Sequence, residues 1–346
     1  MPVWENRDVE MCRKITLQKE GLEMKQKVRI LGAAAAALPA IAALVPACAV
    51  GMLFQKNLRR RRPEETFGAK TDVTVYRNSP FPQAVEEGHA YMDTLKREDF
   101  YTRSEDGLLL HAAFFPAKEN SRNFVIGVHG FQSRDWYELA PHIRYYHELG
   151  WNILLPDDRA HGESEGTYVT MGIKDRRDVI SWADYVRVHY GSDTHVLLHG
   201  VSMGASAVLS ASGEADLPPN VFGAIADCGF TSAEDAFRHQ IQTMYHLPPA
   251  VPVKICGWVA KHKMGFDLSE ARPIDQVKHA RVPILFVQGG KDIMVPRQMT
   301  EALYEACTSE KKLFVVEDGN HAESIAKDPE GYRAAIEEMF HLKEIV

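Results

Sequence analysis

The sequence lacks the features that would assign the chain to a nucleic-acid-binding or a metal-dependent class. Its formal net charge is −7 over 346 residues, so its charge does not suggest a nucleic acid partner. The five cysteines are scattered without a C-x-x-C pair, which argues against a disulfide framework and a structural zinc site. No phosphate-binding loop, H-E-x-x-H pair or dinucleotide fingerprint is present. We therefore expect no metal and no cofactor.

Charge is missing altogether from one long stretch, residues 30–54. As a helix, these 25 positions would extend over roughly 37 Å, which is enough to cross a bilayer. We predict a single transmembrane helix at 30–54 behind an N-terminal tail at 1–29, with a cleaved leader or a soluble helix as alternatives. The slight excess of basic residues after the segment favours a cytoplasmic location for the C-terminal part of the chain.

A basic linker and one helix are predicted over residues 55–96. The linker contains an arginine run, Arg59 to Arg62, which would lie in solvent or against anionic headgroups. The helix is predicted over Ala84 to Leu95, after a short stretch that is interrupted by prolines.

Residues 97–346 alternate between short apolar runs and amphipathic stretches. The predicted elements are a hairpin over 99–115, strands at 123–128, 151–156, 195–199, 221–226, 283–288 and 312–316, and helices at 136–149, 173–190 and 332–340. This order predicts an α/β fold with a mostly parallel, doubly wound sheet, whose ligands bind beyond the carboxyl ends of the strands. Residues 231–280 interrupt the alternation, and we predict a helical cap there.

A strand, a sharp turn and a helix are predicted around the sequence Gly200-Val201-Ser202-Met203-Gly204. In such an elbow, small residues let the helix pack against the sheet while the strained serine holds its hydroxyl toward the substrate. Ser202 is therefore the predicted nucleophile.

The same G-x-S-x-G pattern occurs a second time, at Gly162 to Gly166. A glutamate stands on each side of Ser164, and no helix of small residues comes after it. Because neighbouring carboxylates oppose formation of an alkoxide, we do not expect Ser164 to be the nucleophile.

A serine needs a base, and the base needs a group that orients it. Asp292 and His321 each follow a predicted strand, which brings them to the same edge of the sheet as Ser202. Asp227, which follows the strand at 221–226, is the main alternative to Asp292, and Asp318 is a weaker one.

Two backbone N–H groups could bind the developing oxyanion. The Met203 N–H lies at the start of the helix after Ser202, and the Phe131 N–H lies in the loop His129-Gly130-Phe131-Gln132. We expect His129 itself to have a structural hydrogen-bonding role rather than a catalytic one.

Over about residues 99–340, these motifs together resemble the α/β-hydrolase superfamily. The resemblance is strongest to its serine-aminopeptidase-like or monoacylglycerol-lipase-like branch. That branch includes bacterial enzymes with a membrane segment ahead of the domain. The resemblance is carried by His129-Gly130-Phe131, Asp157-x-Arg159-x-His161-Gly162-x-Ser164, Gly200-Val201-Ser202-Met203-Gly204, Gly290-Lys291-Asp292 and Asn320-His321. It implies Ser202, Asp292 and His321 as a catalytic triad and Phe131 and Met203 as oxyanion donors. Ala160 departs from the pattern, where the family more often has glycine.

The predicted function is that of a membrane-anchored serine hydrolase that cleaves a small-molecule ester or acyl substrate. A serine peptidase acting on short peptides and a non-catalytic binding protein of the same fold are the alternatives. The acyl chain, the leaving group and the oligomeric state are not predicted.

Overall fold

Eight strands form one sheet whose middle is built from wholly buried apolar runs. The computed structural model describes residues 47–62 and 79–345 except 118–119, 134–135 and 271, together with 11, 22, 24–27, 29 and 65. The strands are β1 (Glu98–Arg103), β2 (Leu109–Phe115), β3 (Asn123–Val128), β4 (Asn152–Pro156), β5 (His195–Val201), β6 (Val221–Asp227), β7 (Ile284–Gly289) and β8 (Lys311–Val316). Every residue of β3, β4 and β7 is buried, as expected for strands with both faces covered.

The order of the strands brings the ends of β5, β7 and β8 to one edge of the sheet. That order is β1-β2-β4-β3-β5-β6-β7-β8. β1 pairs antiparallel with β2, and β2 pairs antiparallel with β4. All neighbours from β4 through β8 are parallel, so their carboxyl ends share an edge. The predicted mostly parallel sheet is therefore confirmed.

Helices cover both faces of the sheet. The helices among the described residues are α1 (residues 47–58), α2 (Phe81–Met92), α3 (Ala140–Glu148), α4 (Asp175–Tyr190), α5 (Met203–Ser212), α6 (Ala233–Tyr245), α7 (Ala250–Val259), α8 (Pro273–Gln276), α9 (Arg297–Ala306), α10 (Ser324–Lys327) and α11 (Pro329–Phe340). A π-helical turn, Ala260–Met264, continues α7, and short 3₁₀ turns come later at Val277–His279 and Leu342–Glu344. Two apolar layers result, one beneath α2, α3 and α11 and the other beneath α4, α5 and α9.

Several helices differ from the expectations, and α3 begins at Ala140 rather than at 136. α2 begins at Phe81 rather than Ala84, because Pro82 lies in the first turn, where proline is tolerated. α9 is not predicted by the sequence pattern: it buries only Thr300 and Leu303 and is otherwise polar, so it gives a weak apolar signal.

The interval predicted as a cap contains α6, α7 and the π-helical turn. α6 begins with an N-cap in which the Ser232 hydroxyl accepts the Asp235 N–H. α7 buries Val253, Cys256 and Val259 on one side, while Trp258 on its other side is exposed. α8, at the end of the interval, packs against α5 beside the sheet.

Most of the predicted transmembrane segment at 30–54 lies outside the described residues. Within the part of the chain that the structure describes, no helix is long and apolar enough to cross a membrane. Residues up to Leu53 form one compact unit, and Phe54–Val346 form another. In the second unit Leu58 is 1% exposed, so the predicted linker begins with a packed segment rather than with solvated chain.

Candidate active site

Ser202 lies at the turn between β5 and α5 in a conformation that L-residues rarely adopt. Its φ is 57° and its ψ is −114°, and its N–H donates to the Asp227 carbonyl at 2.8 Å. The turn is tight: a Cβ built on Gly204 would lie 2.1 Å from the Val128 carbonyl oxygen. Only glycine fits there, because a side chain would push α5 away from β3. The turn therefore presents the Ser202 hydroxyl at the sheet edge, as the sequence predicts.

A continuous line of hydrogen bonds joins Ser202, His321 and Asp292. The Ser202 Oγ lies 2.8 Å from His321 Nε2, and His321 Nδ1 lies 2.7 Å from Asp292 Oδ2. The carboxylate accepts from Nδ1–H, which leaves Nε2 free of a proton and able to accept the serine proton. The structure thus brings together three side chains that the sequence separates by up to 119 positions.

Asp292 is itself held in place by its surroundings. Its Oδ1 accepts the N–H groups of Met294 and Val295 at 2.8 and 2.9 Å. The buried amide of Gln288 donates to Oδ2 at 3.3 Å, and the Gln288 Oε1 accepts the Thr300 hydroxyl at 2.6 Å. Sequence reasoning missed Gln288, because a glutamine at the end of a strand carries no pattern that marks it as an orienting group.

The charge of Asp292 sets the basicity of His321. Burial by itself would lower the pKa of His321, but the neighbouring carboxylate outweighs it and holds that pKa well above the ordinary value of 6.5. Cys228 Sγ lies 3.9 Å from the same Nε2 that faces Ser202. Burial raises the pKa of the Cys228 thiol to about 12, so it stays neutral and is a poor nucleophile beside the serine.

Asp227 and Asp318, the alternatives to Asp292 as the partner of His321, have other surroundings. Asp227 is fully buried beneath the turn, and burial raises its pKa to about 6 although the nearby Tyr332 hydroxyl opposes the shift. The His321 Nδ1 nevertheless pairs with Asp292. Asp318 is 65% exposed and pairs with Lys327 at 3.5 Å. Neither therefore takes the place of Asp292.

Both candidate oxyanion donors lie beside Ser202. The Met203 N–H stands at the first position of α5, and a Cβ on Gly130, the neighbour of Phe131, would lie 3.4 Å from the Ser202 Cβ. Among the described residues, neither the Met203 nor the Phe131 N–H has a hydrogen-bond acceptor. Backbone N–H groups without an acceptor, close to a serine hydroxyl, can bind a carbonyl oxygen as it gains negative charge.

Two buried histidines shape the loop that carries Phe131. His129 Nδ1 lies 2.8 Å from the Gly130 carbonyl, and its Nε2 accepts the Asp158 N–H at 3.0 Å. His161 Nε2 accepts the Gln132 N–H at 3.0 Å. Burial lowers the pKa of His161 to about 3, so its ring is neutral and can accept this bond. The structural role expected for His129 fits these contacts, whereas the sequence places His161 in a family motif without indicating its role.

In the second G-x-S-x-G copy, the serine is buried and bonded to the backbone. Ser164 is fully buried, its hydroxyl donates to the Asp157 carbonyl at 2.6 Å, and its Oγ accepts the His111 N–H at 2.9 Å. The hydroxyl therefore both donates and accepts a hydrogen bond with the backbone.

One cluster among the described residues has donor atoms close enough to hold a metal: Cys228, Asp292 and His321, whose ligand atoms lie within 4.8 Å of one another. Asp292 and His321 are already hydrogen-bonded to each other, and His321 to Ser202. The arrangement is thus suited to proton transfer from the serine.

Comparison with known families assigns the fold. A sequence model of the protein family described as "Alpha/beta hydrolase family" matches residues 125–335, which is more than half of the chain. The chain belongs to the alpha/beta hydrolase family. The matched range begins in β3 and includes the elbow, Asp292 and His321. The first hairpin and residues 54–62 lie before it.

Several proteins of known sequence or structure are similar to this chain over most of its length. The uncharacterized protein YqkD of Bacillus subtilis is 26% identical over 312 residues, 87% of this chain and 96% of its own length. The Pyrococcus furiosus esterase Pf2001 has a TM-score of 0.58 at 21% identity, over 75% of this chain and 94% of that chain. An acylaminoacyl peptidase of Pyrococcus horikoshii has a TM-score of 0.53 at 16% identity, over 73% and 43%. At these identities the two structures show a shared fold.

Proposed function

We propose that this alpha/beta hydrolase is a serine esterase that works through a Ser202-His321-Asp292 triad and an acyl-enzyme. The observation that carries the proposal is the unbroken hydrogen-bond line from the Ser202 hydroxyl through His321 to Asp292, at 2.8 and 2.7 Å. Distances of this length let a proton leave the serine as its oxygen attacks a carbonyl.

Each residue has one role in the proposed mechanism. Ser202 Oγ forms a bond to the carbonyl carbon while its proton moves to His321 Nε2, and Asp292 stabilises the imidazolium that results. The Met203 and Phe131 N–H groups bind the oxyanion. His321 then gives its proton to the departing alkoxide, which leaves as an alcohol. A water molecule, activated by the same imidazole, releases the acid and restores Ser202.

Similarity in fold does not choose between ester and peptide substrates, because one solved structure of similar fold is an esterase and another is a peptidase. We place esters first, since an alkoxide leaves more readily than an amine. Turnover of aryl acetates, butyrates and octanoates should therefore exceed that of the aminoacyl anilides in a parallel assay. Preferred cleavage of the anilides would support the peptidase. No turnover of either, with no difference between wild type and His321→Ala, would support a binding protein.

We also propose that residues 30–54 anchor the enzyme in a membrane. The support is their length without charge and the basic residues that flank them. Protease digestion of sealed vesicles carrying the full chain should leave the catalytic unit attached to the bilayer. Release of the whole chain by salt or carbonate would contradict the anchor.

A further inference from the structure

A short segment ahead of the hydrolase core packs against the loops of the active site. Its residues, 54–60, are called here the docking segment. The Leu58 carbonyl accepts the Val169 N–H at 2.7 Å, and the Arg60 N–H donates to the Thr167 carbonyl at 2.8 Å. These backbone bonds fix the docking segment along the loop that comes after the second G-x-S-x-G copy.

Arg60 connects that second copy to the docking segment. Its guanidinium donates to the carbonyl oxygens of Gly162 and Ser164. A planar guanidinium can serve two carbonyls at once, which fixes its position more tightly than a single bond would. Two features without a role in the proposed mechanism, the arginine run and the extra serine motif, therefore contact each other.

The docking segment also contacts residues 129–132, the loop that carries Phe131, which is called here the oxyanion loop. The Gln132 side-chain amide donates to the Asn57 carbonyl at 2.5 Å, while the Gln132 N–H donates to His161 at 3.0 Å. Gln132 has a φ of 56°, a conformation that is strained for this residue type. Two hydrogen bonds on opposite sides thus hold a strained residue directly after Phe131.

The same segment touches the cap. Phe54 packs edge-on against Phe237 of α6, with ring centroids 5.1 Å apart, and Phe54 is buried. The docking segment therefore bridges three parts of the site: the cap, the oxyanion loop and the loop of the second serine motif.

We infer that the docking segment is a working part of the active site, in which Gln132 and Asn57 position the Phe131 N–H for the oxyanion. This inference rests on the proposed function. Gln132 is a positioning residue, because it acts through its neighbour. Without its side-chain bond, the strained backbone at Gln132 relaxes and the Phe131 N–H turns away from the carbonyl oxygen. Because that donor acts most strongly in the transition state, kcat falls while KM changes little.

The most direct test is Gln132→Glu in the full-length protein. This change keeps the size of the side chain but places a carboxylate oxygen against the Asn57 carbonyl. We expect kcat for an aryl ester to fall about 10-fold or more, a fraction of what losing a whole oxyanion donor costs, with KM within about twofold. The affinity for an aryl boronic acid, which mimics the oxyanion, should weaken in parallel, and thermal unfolding of the same preparation shows whether the variant is folded at the assay temperature.

Two arginine variants provide a matched comparison. Arg60→Ala removes the contact with Gly162 and Ser164 and should lower kcat. Arg62→Ala makes the same change of charge, but Arg62 is 74% exposed and pairs with Glu65, so kcat should stay at the wild-type value. Arg60→Lys should restore part of the activity, since an ammonium can still bind one carbonyl.

Hydrogen exchange of the peptide over 129–133 gives a reading that does not depend on turnover. We expect faster exchange in Gln132→Glu and Arg60→Ala than in wild type or Arg62→Ala. Unchanged exchange together with unchanged kcat and boronate affinity in Gln132→Glu would overturn the inference. Absence of ester turnover in the wild type would instead count against the proposed function, and the exchange comparison would still decide the inference.

Discussion

Two turns of this chain carry the same G-x-S-x-G pattern, and the structure gives their serines different hydrogen-bond partners. Ser202 stands at the end of β5 with its hydroxyl 2.8 Å from an imidazole nitrogen. Ser164 is completely buried, and its hydroxyl is bonded to the backbone. Pattern alone therefore does not distinguish a nucleophile from a structural serine.

The second turn even has a histidine and an aspartate close to its serine. His111 lies beside Ser164, but its Nδ1 faces Asp157 at 2.7 Å and its Nε2 faces Asp99 at 3.1 Å. Burial would lower the pKa of His111, yet hydrogen bonds to these two carboxylates raise it above the ordinary value. Both ring nitrogens donate, so no base remains for Ser164. A triad thus requires an imidazole with one nitrogen free to accept the serine proton.

The largest expected effect comes from removing the reactive hydroxyl. Ser202→Ala should lower kcat for aryl esters by about 10⁶-fold, because the covalent step is lost. The fold should persist, since Ser202 contributes its N–H rather than its side chain to the turn. Ester hydrolysis measures the loss of kcat, and thermal unfolding of the same preparation shows whether the fold persists. Residual activity within about 10-fold of wild type would mean that another residue is the nucleophile.

Removing the carboxylate that orients His321 should have the next largest effect. Asp292→Asn should lower kcat by about 10⁴-fold, because an amide favours the wrong tautomer of the imidazole. Asp227→Asn is the matched comparison, since Asp227 is the other buried carboxylate near His321 and should matter less. A larger loss in Asp227→Asn would mean that Asp227 is the orienting acid.

Ser164→Ala should affect stability instead of chemistry. The change leaves the His111 N–H without its buried acceptor, which costs about 1–3 kcal/mol in the free energy of unfolding. Urea unfolding measures this loss, and ester hydrolysis below the transition should remain. Loss of ester turnover in a folded Ser164→Ala protein would contradict the comparison.

The pH dependence of kcat/KM should show the smallest effect. His321 must be neutral to accept a proton, so activity should rise as pH increases through its pKa, which Asp292 holds above 6.5. In Asp292→Asn the rising limb should move to lower pH, because the charge that favours the imidazolium is gone. If the rising limb of the kcat/KM profile lies at the same pH in Asp292→Asn as in the wild type, then a group other than His321 titrates there.

Strand ends made the positions of Asp292 and His321 predictable, whereas the contacts between distant segments were not predictable. Asp292 and His321 each follow an apolar strand of a parallel sheet, so the sequence places them at one edge. Gln132 and Asn57 have no such marker, because their contact joins a loop to the last turn of a helix 75 positions away. The contacts of Arg60 are unpredictable for the same reason. Long-range hydrogen bonds of this kind have no periodic signal in the sequence.

The site of covalent labelling by a fluorophosphonate probe tests most directly whether Ser202 is the activated serine. Peptide mapping by mass spectrometry should find the adduct on Ser202 in the wild type and no adduct in His321→Ala. An adduct on Ser164, or unlabelled wild-type protein under conditions where it is folded, would contradict the account.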